Sequence, residues 1–475
     1  MSAQVTQIGT AKASPTKEFF VNMLTRDIEL QDALLDLLDN CVDGIVRSGK
    51  ADPVAERPYQ GFQAVMTLSK DHFSIEDNCG GIPYDIAQKY AFAMGRPPTI
   101  DVDEAQGTVG MYGIGMKRAI FKIGTDALIE SRNDVGFYVE ITPEWMAEDK
   151  WGDLPVYELA DTAIPVAGTR ILVTKLRDDI ATTFSNNDWI DEFRKAVARH
   201  YALIIEKGFE VTVGSPKEIE SKIAPIEAEP FRLLTAKSDN GEGLSPYIYT
   251  GTLHDVTVEI YAGLYRHLLT EEELDGEDET RGNTDDAGWT VACNDRVVIW
   301  KDKTKLTGWG EATVPIYHGQ FIAITGLVVL RSADPKKLPL TTTKRGIDGA
   351  SLLYLDVKDL MREATKALTA FTNKWKKFPS ELETIYRSSS YADLPTLRAS
   401  AATAHSEVMR KYPDIKKVEA LLPAPHQQKT SSRISFVALN KDIEDLAYYF
   451  FEDRKMKASA VGEQAFIYAL EESKK

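Results

Sequence analysis

The chain reads as an α+β protein of more than one domain, and three observations carry that reading. Its 475 residues exceed what one hydrophobic core usually organises. Within the first 180 residues or so, one apolar stretch has a helical period, while several others alternate or run as short segments suited to antiparallel pairing. The second half repeats short strand patterns and then closes on a long helical stretch. A composition of 43% hydrophobic and 27% charged residues is ordinary for a globular chain.

The elements follow in order. Residues 28–48 place Leu30, Leu34, Leu37, Leu38, Cys41 and Ile45 at a helix period. Phe62 to Leu68 alternates as a strand, and Phe73 to Glu76 follows as its hairpin partner. Residues 84–109 are rich in Pro, Gly, Asp and Thr, which suits a mobile lid extending to about residue 116. Ala127 to Ser131, Gly136 to Ile141 and Thr169 to Thr174 read as further antiparallel strands. Together these make a first domain over 1–180. A second domain is expected over 181–378, with a helix at 189–207 and strands at 209–213, 256–262, 290–292, 297–300 and 321–330. A helix over 350–378 closes it. The acidic run from Glu271 to Glu279 reads as a solvated insertion. Residues 379–433, with Pro423-Ala-Pro425 and a Gln/Ser/Thr-rich stretch, have a linker composition. Residues 434–475 read as a short strand and two helices, whose aromatic run Tyr448 to Phe451 suits a core or a partner surface.

Composition narrows the function. A net charge of −16 argues against a bulk electrostatic grip on DNA or RNA and leaves only a local basic groove open. No apolar run approaches the roughly 18 residues of a membrane span, and the N-terminus lacks a signal-peptide pattern. The three cysteines, Cys41, Cys79 and Cys293, are scattered, which suits a reducing compartment rather than a zinc or disulfide framework. A cytoplasmic chain is expected.

Four patches carry chemistry. On the first helix, Asp36, Asn40 and Asp43 share one face by spacings of four and three. A polar stripe beside a core wants water or a ligand. The amide oxygen of Asn40 suits magnesium, and the Asp36 carboxylate suits orienting or deprotonating a water. A helix with a wet polar face is the alternative. Asp77 precedes Gly80, Gly81 and Ile82. Its carboxylate could take the amino proton of adenine, while the glycines would let backbone approach a flat ring; the same string is also an ordinary turn. Gly110, Gly113 and Gly115 with Lys117 form a glycine-rich entry into a helix, suited to phosphate or simply to a flexible loop. Thr169, after Gly168, opens a strand and can bond a base edge or pair within a sheet.

The order of these patches resembles the GHKL superfamily, named for gyrase, a heat-shock chaperone, histidine kinases and MutL. The resemblance covers residues 20–176 and implies a Bergerat-fold α/β sandwich that binds ATP and magnesium. It aligns Asn40 with the magnesium asparagine and Asp77 with the adenine-binding aspartate. Gly110, Gly113, Gly115 and Lys117 align with the phosphate-contacting lid box, and Thr169 with a base-contacting threonine. Asp36 aligns with the catalytic glutamate, one methylene shorter, so slow turnover is expected. Farther on, Cys293-Asn294-Asp295-Arg296 resembles the Asn-Gly-Arg turn of the MutL transducer domain. The loop from Leu340 to Ile347 resembles one that reaches a lysine to the terminal phosphate, which makes Lys344 the candidate sensor; an exposed basic loop residue is the alternative.

The resemblance implies an ATPase switch of the MutL, MORC and chaperone branch: an α/β ATPase domain, a transducer-like α/β domain and a small helical C-terminal region. ATP and Mg2+ would favour closure or homodimerisation, and the C-terminal segment could recruit a protein partner. A role in DNA transactions or anti-phage defence follows by analogy alone. A nucleotide-gated, non-catalytic subunit and a client-binding chaperone are the alternatives.

Overall fold

A computed structural model describes residues 16–52, 55–93, 114–148, 151–161, 163–164, 166–237, 243–269, 286–341, 346–376, 378–418, 420–425 and 437–474. They belong to two compact units, Met1–Ala424 and Pro425–Lys475. Gly110, Gly113, Lys344, most of the expected lid and the acidic run lie outside the described residues.

Helix α1 (Lys17–Arg26) starts where the Thr16 hydroxyl accepts the Phe19 N–H at 3.3 Å. Helix α2 (Leu30–Ser48) buries Leu34, Leu38, Cys41 and Ile45 along one stripe, which is why this segment is helical and docked. Left-handed Gly49 ends it, its N–H bonding the Val46 carbonyl.

The first sheet contains β1 (Gln63–Leu68), β2 (Phe73–Asp77), β3 (Gly124–Arg132), β4 (Gly136–Ile141), β5 (Val156–Glu158), β6 (Gly168–Leu176) and β7 (Glu210–Gly214). Their order is β5-β4-β3-β6-β2-β1-β7. All neighbours are antiparallel except β1 and β7, which run parallel. The helices between them are α3 (Tyr84–Ile86), α4 (Gly115–Ile123), α5 (Pro143–Ala147), α6 (Asp178–Phe184), α7 (Asn187–His200) and α8 (Ala202–Glu206), with α9 (Pro216–Glu220) after β7. One core joins Leu34, Leu38 and Ile45 of α2, Ile120 and Phe121 of α4, and Met66, Ile75, Ile129 and Val173 of the sheet.

The expected boundary near residue 180 is corrected by this core. Ile190, Phe193, Val197 and Tyr201 pack into it, as do Val211 and Val213 of β7. The exposed edge of β1 and the apolar face of α7 are both covered by this arrangement, so the first α/β layer extends to residue 214.

The second sheet is built from β9 (Tyr247–Leu253), β10 (Val256–Leu264), β11 (Gly288–Cys293), β12 (Arg296–Asp302), β13 (Ile324–Arg331), β15 (Glu407–Val408) and β16 (Ile415–Val418). Its order is β12-β11-β13-β10-β9-β16-β15. Two further strands, β8 (Arg232–Ala236) and β14 (Ser389–Asp393), pair separately. Strand alternation makes the sheet two-sided. Val258, Ile260, Val328 and Leu330 meet Tyr354, Val357 and Met361 of α10 (Leu352–Trp375). Tyr261, Leu327 and Val329 face the other way, toward Leu203 of α8.

Residues 379–418 do not form the expected linker. They hold α11 (Pro379–Arg387), β14, α12 (Leu394–Thr403), β15 and β16. Leu394 and Leu397 are buried, and β16 hydrogen-bonds along β9. Their polar composition hid this, because pairing to a strand about 160 residues earlier leaves no local period.

In the second unit, α13 (Asn440–Phe451) and α14 (Ala458–Glu472) pack on each other through Phe450 and Tyr468, whose rings lie 5.7 Å apart. Tyr448 and Tyr449 are 55% and 66% exposed, so the aromatic run is largely a surface rather than a core. No helix among the described residues is long and apolar enough to cross a membrane.

Candidate functional site

Three neighbouring strands lay a polar row across one face of the first sheet. Asp77 ends β2 and stands opposite Thr169 on β6, which stands opposite Ser131 on β3. Direct cross-strand partners share a face. The hydroxyls of Thr169 and Ser131 are 3.1 Å apart. Ser131 Oγ also accepts the Ile82 N–H at 2.8 Å, which ties the turn after Asp77 to β3.

Helix α2 covers this row. The Cys41 thiol lies 3.5 Å from Asp77 Oδ2, and the Cys79 N–H donates to Oδ1 at 2.7 Å. Burial pushes the Asp77 carboxyl up to about 6, against the opposing pull of the Cys79 N–H, the Cys41 thiol, the Thr169 N–H and the Arg47 charge. A carboxyl perturbed this strongly by burial marks a functional-site candidate.

The turn at 79–81 is clamped. Arg47 donates to the Gly81 carbonyl at 3.0 Å, and the Asn133 amide donates to the Gly80 carbonyl at 2.7 Å. Gly44 lets α2 approach this closely, since a Cβ there would lie 2.6 Å from the Cys79 carbonyl oxygen. Gly81 has φ +70, and a Cβ would fall 2.0 Å from the Arg132 carbonyl oxygen. Its missing side chain therefore makes room for protein backbone.

The stripe on α2 divides. Asn40 is exposed, while Asp36 and Asp43 are each 6% exposed, which removes the wet-face alternative for the two carboxylates. Asp36 is ion-paired with Arg118 on α4. Helix α4 begins directly beside it: a Cβ on Gly115 would sit 3.4 Å from Asp36 Oδ2. Lys117 is 2% exposed and donates from Nζ to the Ala91 carbonyl at 2.7 Å, and burial lowers its pKa to about 8. The cation that meets Asp36 is thus Arg118 rather than Lys117. Arg118 directly follows the glycine-rich box in sequence, but nothing local shows that it pairs with a carboxylate 82 positions earlier. Ser131 was legible as a strand residue only; its place in the polar row depends on strand register.

The back of α2 reaches the second sheet. Arg296, at the start of β12, donates from Nε to Asp39 Oδ1 at 3.0 Å and from Nη1 to the Val297 carbonyl at 2.9 Å. Tyr201 packs its ring under the guanidinium, 4.6 Å from centroid to Cζ, and its hydroxyl lies 2.8 Å from the Leu35 carbonyl. Next along the turn, Asp295 takes Arg331 at 2.8 Å and Lys207 as partners. Asp39 is 1% and Arg296 6% exposed, so this is a buried ionic joint one residue from Asn40. Lys344 lies outside the described residues. Its loop is closed by a bridge between Leu340 and Ile347.

Among the described residues no cluster of three or more His, Cys, Asp or Glu could hold a metal. Magnesium carried by a polyphosphate keeps several waters and needs only one or two protein oxygens. Exposed Asn40 offers one such oxygen.

Neither a scan against protein-family models nor a search of curated proteins matches the chain to any relative.

Proposed function

We propose that the chain binds ATP with Mg2+ between α2 and the β2–β6–β3 row, and acts as a slow GHKL-type ATPase switch. One observation carries the reading. Asp77 and Thr169, separated by about ninety positions, are direct partners in the sheet and lie under the helix that bears Asp36, Asn40 and Asp43. Asp77 would accept from the adenine amino group, with Thr169 and Ser131 beside it. Ile82 and Gly81 would form the wall of the base site. Asn40 would give an oxygen to Mg2+. Gly115, at the start of α4 beside Asp36, would border the phosphates, and Gly110 and Gly113 of the same glycine-rich box would contact them. Lys344 would sense the terminal phosphate, and the Asp39–Arg296 joint would carry motion of α2 to the second sheet. ATP-dependent closure into a homodimer, in DNA transactions or defence, is the process this device suits.

The Asp36–Arg118 pair favours a second reading, a nucleotide-gated subunit with negligible turnover, because the carboxylate in the base position is already engaged. Titration with a fluorescent ATP analogue and Mg2+ tests the common core of both. Absence of saturable binding at millimolar nucleotide would overturn it. Phosphate release separates the two readings, and sedimentation with a non-hydrolysable analogue tests closure: an unchanged mass and protease pattern count against the switch.

A further inference from the structure

We infer that Arg118 is a phosphate-contacting catalytic residue that exchanges Asp36 for the terminal phosphate of ATP, so that Asp36 becomes available as a base only in the loaded site. The inference rests on the ATP reading above and adds a residue and a gate to it. Four observations converge. Asp36 and Arg118 form an ion pair with side chains 7% and 13% exposed, in the corner where α4 begins beside α2. Arg118 Nε is buried without a hydrogen-bond partner among the described residues, so part of its donor fork is uncommitted. Lys117, the neighbouring cation, is directed to the Ala91 carbonyl. Asn40, one helical turn beyond Asp36 on the same helix, is exposed and free to meet a solvated ligand.

A guanidinium matches phosphate oxygens with two parallel donors, and a polyphosphate carries more charge than a single carboxylate. ATP would therefore draw Arg118 away, while ADP, which has no terminal phosphate at this corner, would leave the pair closed. In the loaded site the water oxygen bonds to the terminal phosphorus as the bond to the bridging oxygen breaks. The electron pair leaves with ADP, and the water proton passes to the Asp36 carboxylate and then to solvent. Arg118 would offset the charge on the transferring group, a contribution of the kind that arginine makes in other phosphoryl-transfer sites. The closed pair prevents Asp36 from acting while the site is empty or holds ADP.

The test uses the full chain with Arg118→Met, Arg118→Lys and Asp36→Asn, and measures affinity for fluorescent ATP and ADP analogues with Mg2+ together with phosphate release. Arg118→Met is expected to weaken ATP binding at least tenfold, change ADP binding less than twofold, and lower kcat at least a hundredfold. Arg118→Lys should restore part of the ATP preference. Asp36→Asn removes the competing carboxylate and should tighten ATP binding several-fold while abolishing turnover. A purely structural pair would instead shift ATP and ADP affinity together. Equal effects on both nucleotides, or unchanged or weaker ATP binding in Asp36→Asn, overturn the inference. If Arg118→Met fails to fold, the Asp36→Asn and Arg118→Lys results decide. Wild-type protein that binds neither nucleotide refutes the ATP reading itself, a distinct outcome.

Discussion

Replacing Asp77 with Asn is expected to stabilise the nucleotide-free protein and to weaken ATP binding. The Asp77 carboxyl is pushed from its ordinary 3.8 to about 6, chiefly by burial. That difference corresponds to about 3 kcal/mol of penalty on the ionised form at neutral pH. The sign follows from which state holds the proton more tightly. The folded protein does, so the stability from this group is fully present below 3.8 and is lost as pH rises through about 6. Asn escapes the loss. Its carbonyl oxygen can keep the Cys79 N–H bond at 2.7 Å, while the bond from the Cys41 thiol is forfeited, at a cost of about 1 kcal/mol. The net gain is about 2 kcal/mol at pH 7.5. The assay is urea unfolding of both proteins between pH 4.5 and 8, paired with ATP titration. The stability difference should grow in favour of Asp77→Asn as pH rises toward 7. ATP affinity should fall by about 30-fold or more, because an amide donor then faces the adenine amino group. A pH-independent difference, or a variant less stable than wild type at pH 7.5, would refute the reasoning.

Three further outcomes are expected. Asn40→Ala should abolish Mg2+-dependent nucleotide binding yet leave unfolding within about 0.5 kcal/mol, since the residue is exposed; calorimetry with and without Mg2+ reads both effects. Gly81→Ala forces a Cβ to within 2.0 Å of the Arg132 carbonyl oxygen at φ +70. It should cost at least about 3 kcal/mol by chemical denaturation, and a cost below about 1 kcal/mol would show that the turn yields readily. Asp39→Ala strands the buried Arg296 charge and should cost about 3–5 kcal/mol. The double variant Asp39→Ala/Arg296→Met should recover much of that loss, and strictly additive losses would contradict a coupled pair.

Local chemistry made α2, the hairpin of β1 and β2, and strands β3, β4 and β6 legible, because each carries its own period: Leu34, Leu38, Cys41 and Ile45 in α2, and the alternation around Met66 in β1. The same holds for β10, β13 and α10. Legibility failed where structure depends on distant partners. Strand β7 reads like any short strand, yet its place beside β1 assigns residues 187–214 to the first layer. Strands β14 and β16 lie in a polar stretch and are ordered by pairing with β8 and β9, and β15 pairs in turn with β16.

The site divides in the same way. Residue types and order alone nominated Asp36, Asn40, Asp43, Asp77, Lys117 and Thr169, because a carboxylate, an amide oxygen or a glycine turn announces its chemistry wherever it sits. Contact is not a local property. Only the tertiary structure set Thr169 opposite Asp77, added Ser131 to their row, turned Lys117 to Ala91, and brought Arg118 against Asp36 and Arg296 against Asp39. Each of these depends on strand register or helix packing across tens to hundreds of residues, where burial, and not sequence spacing, decides which charges meet.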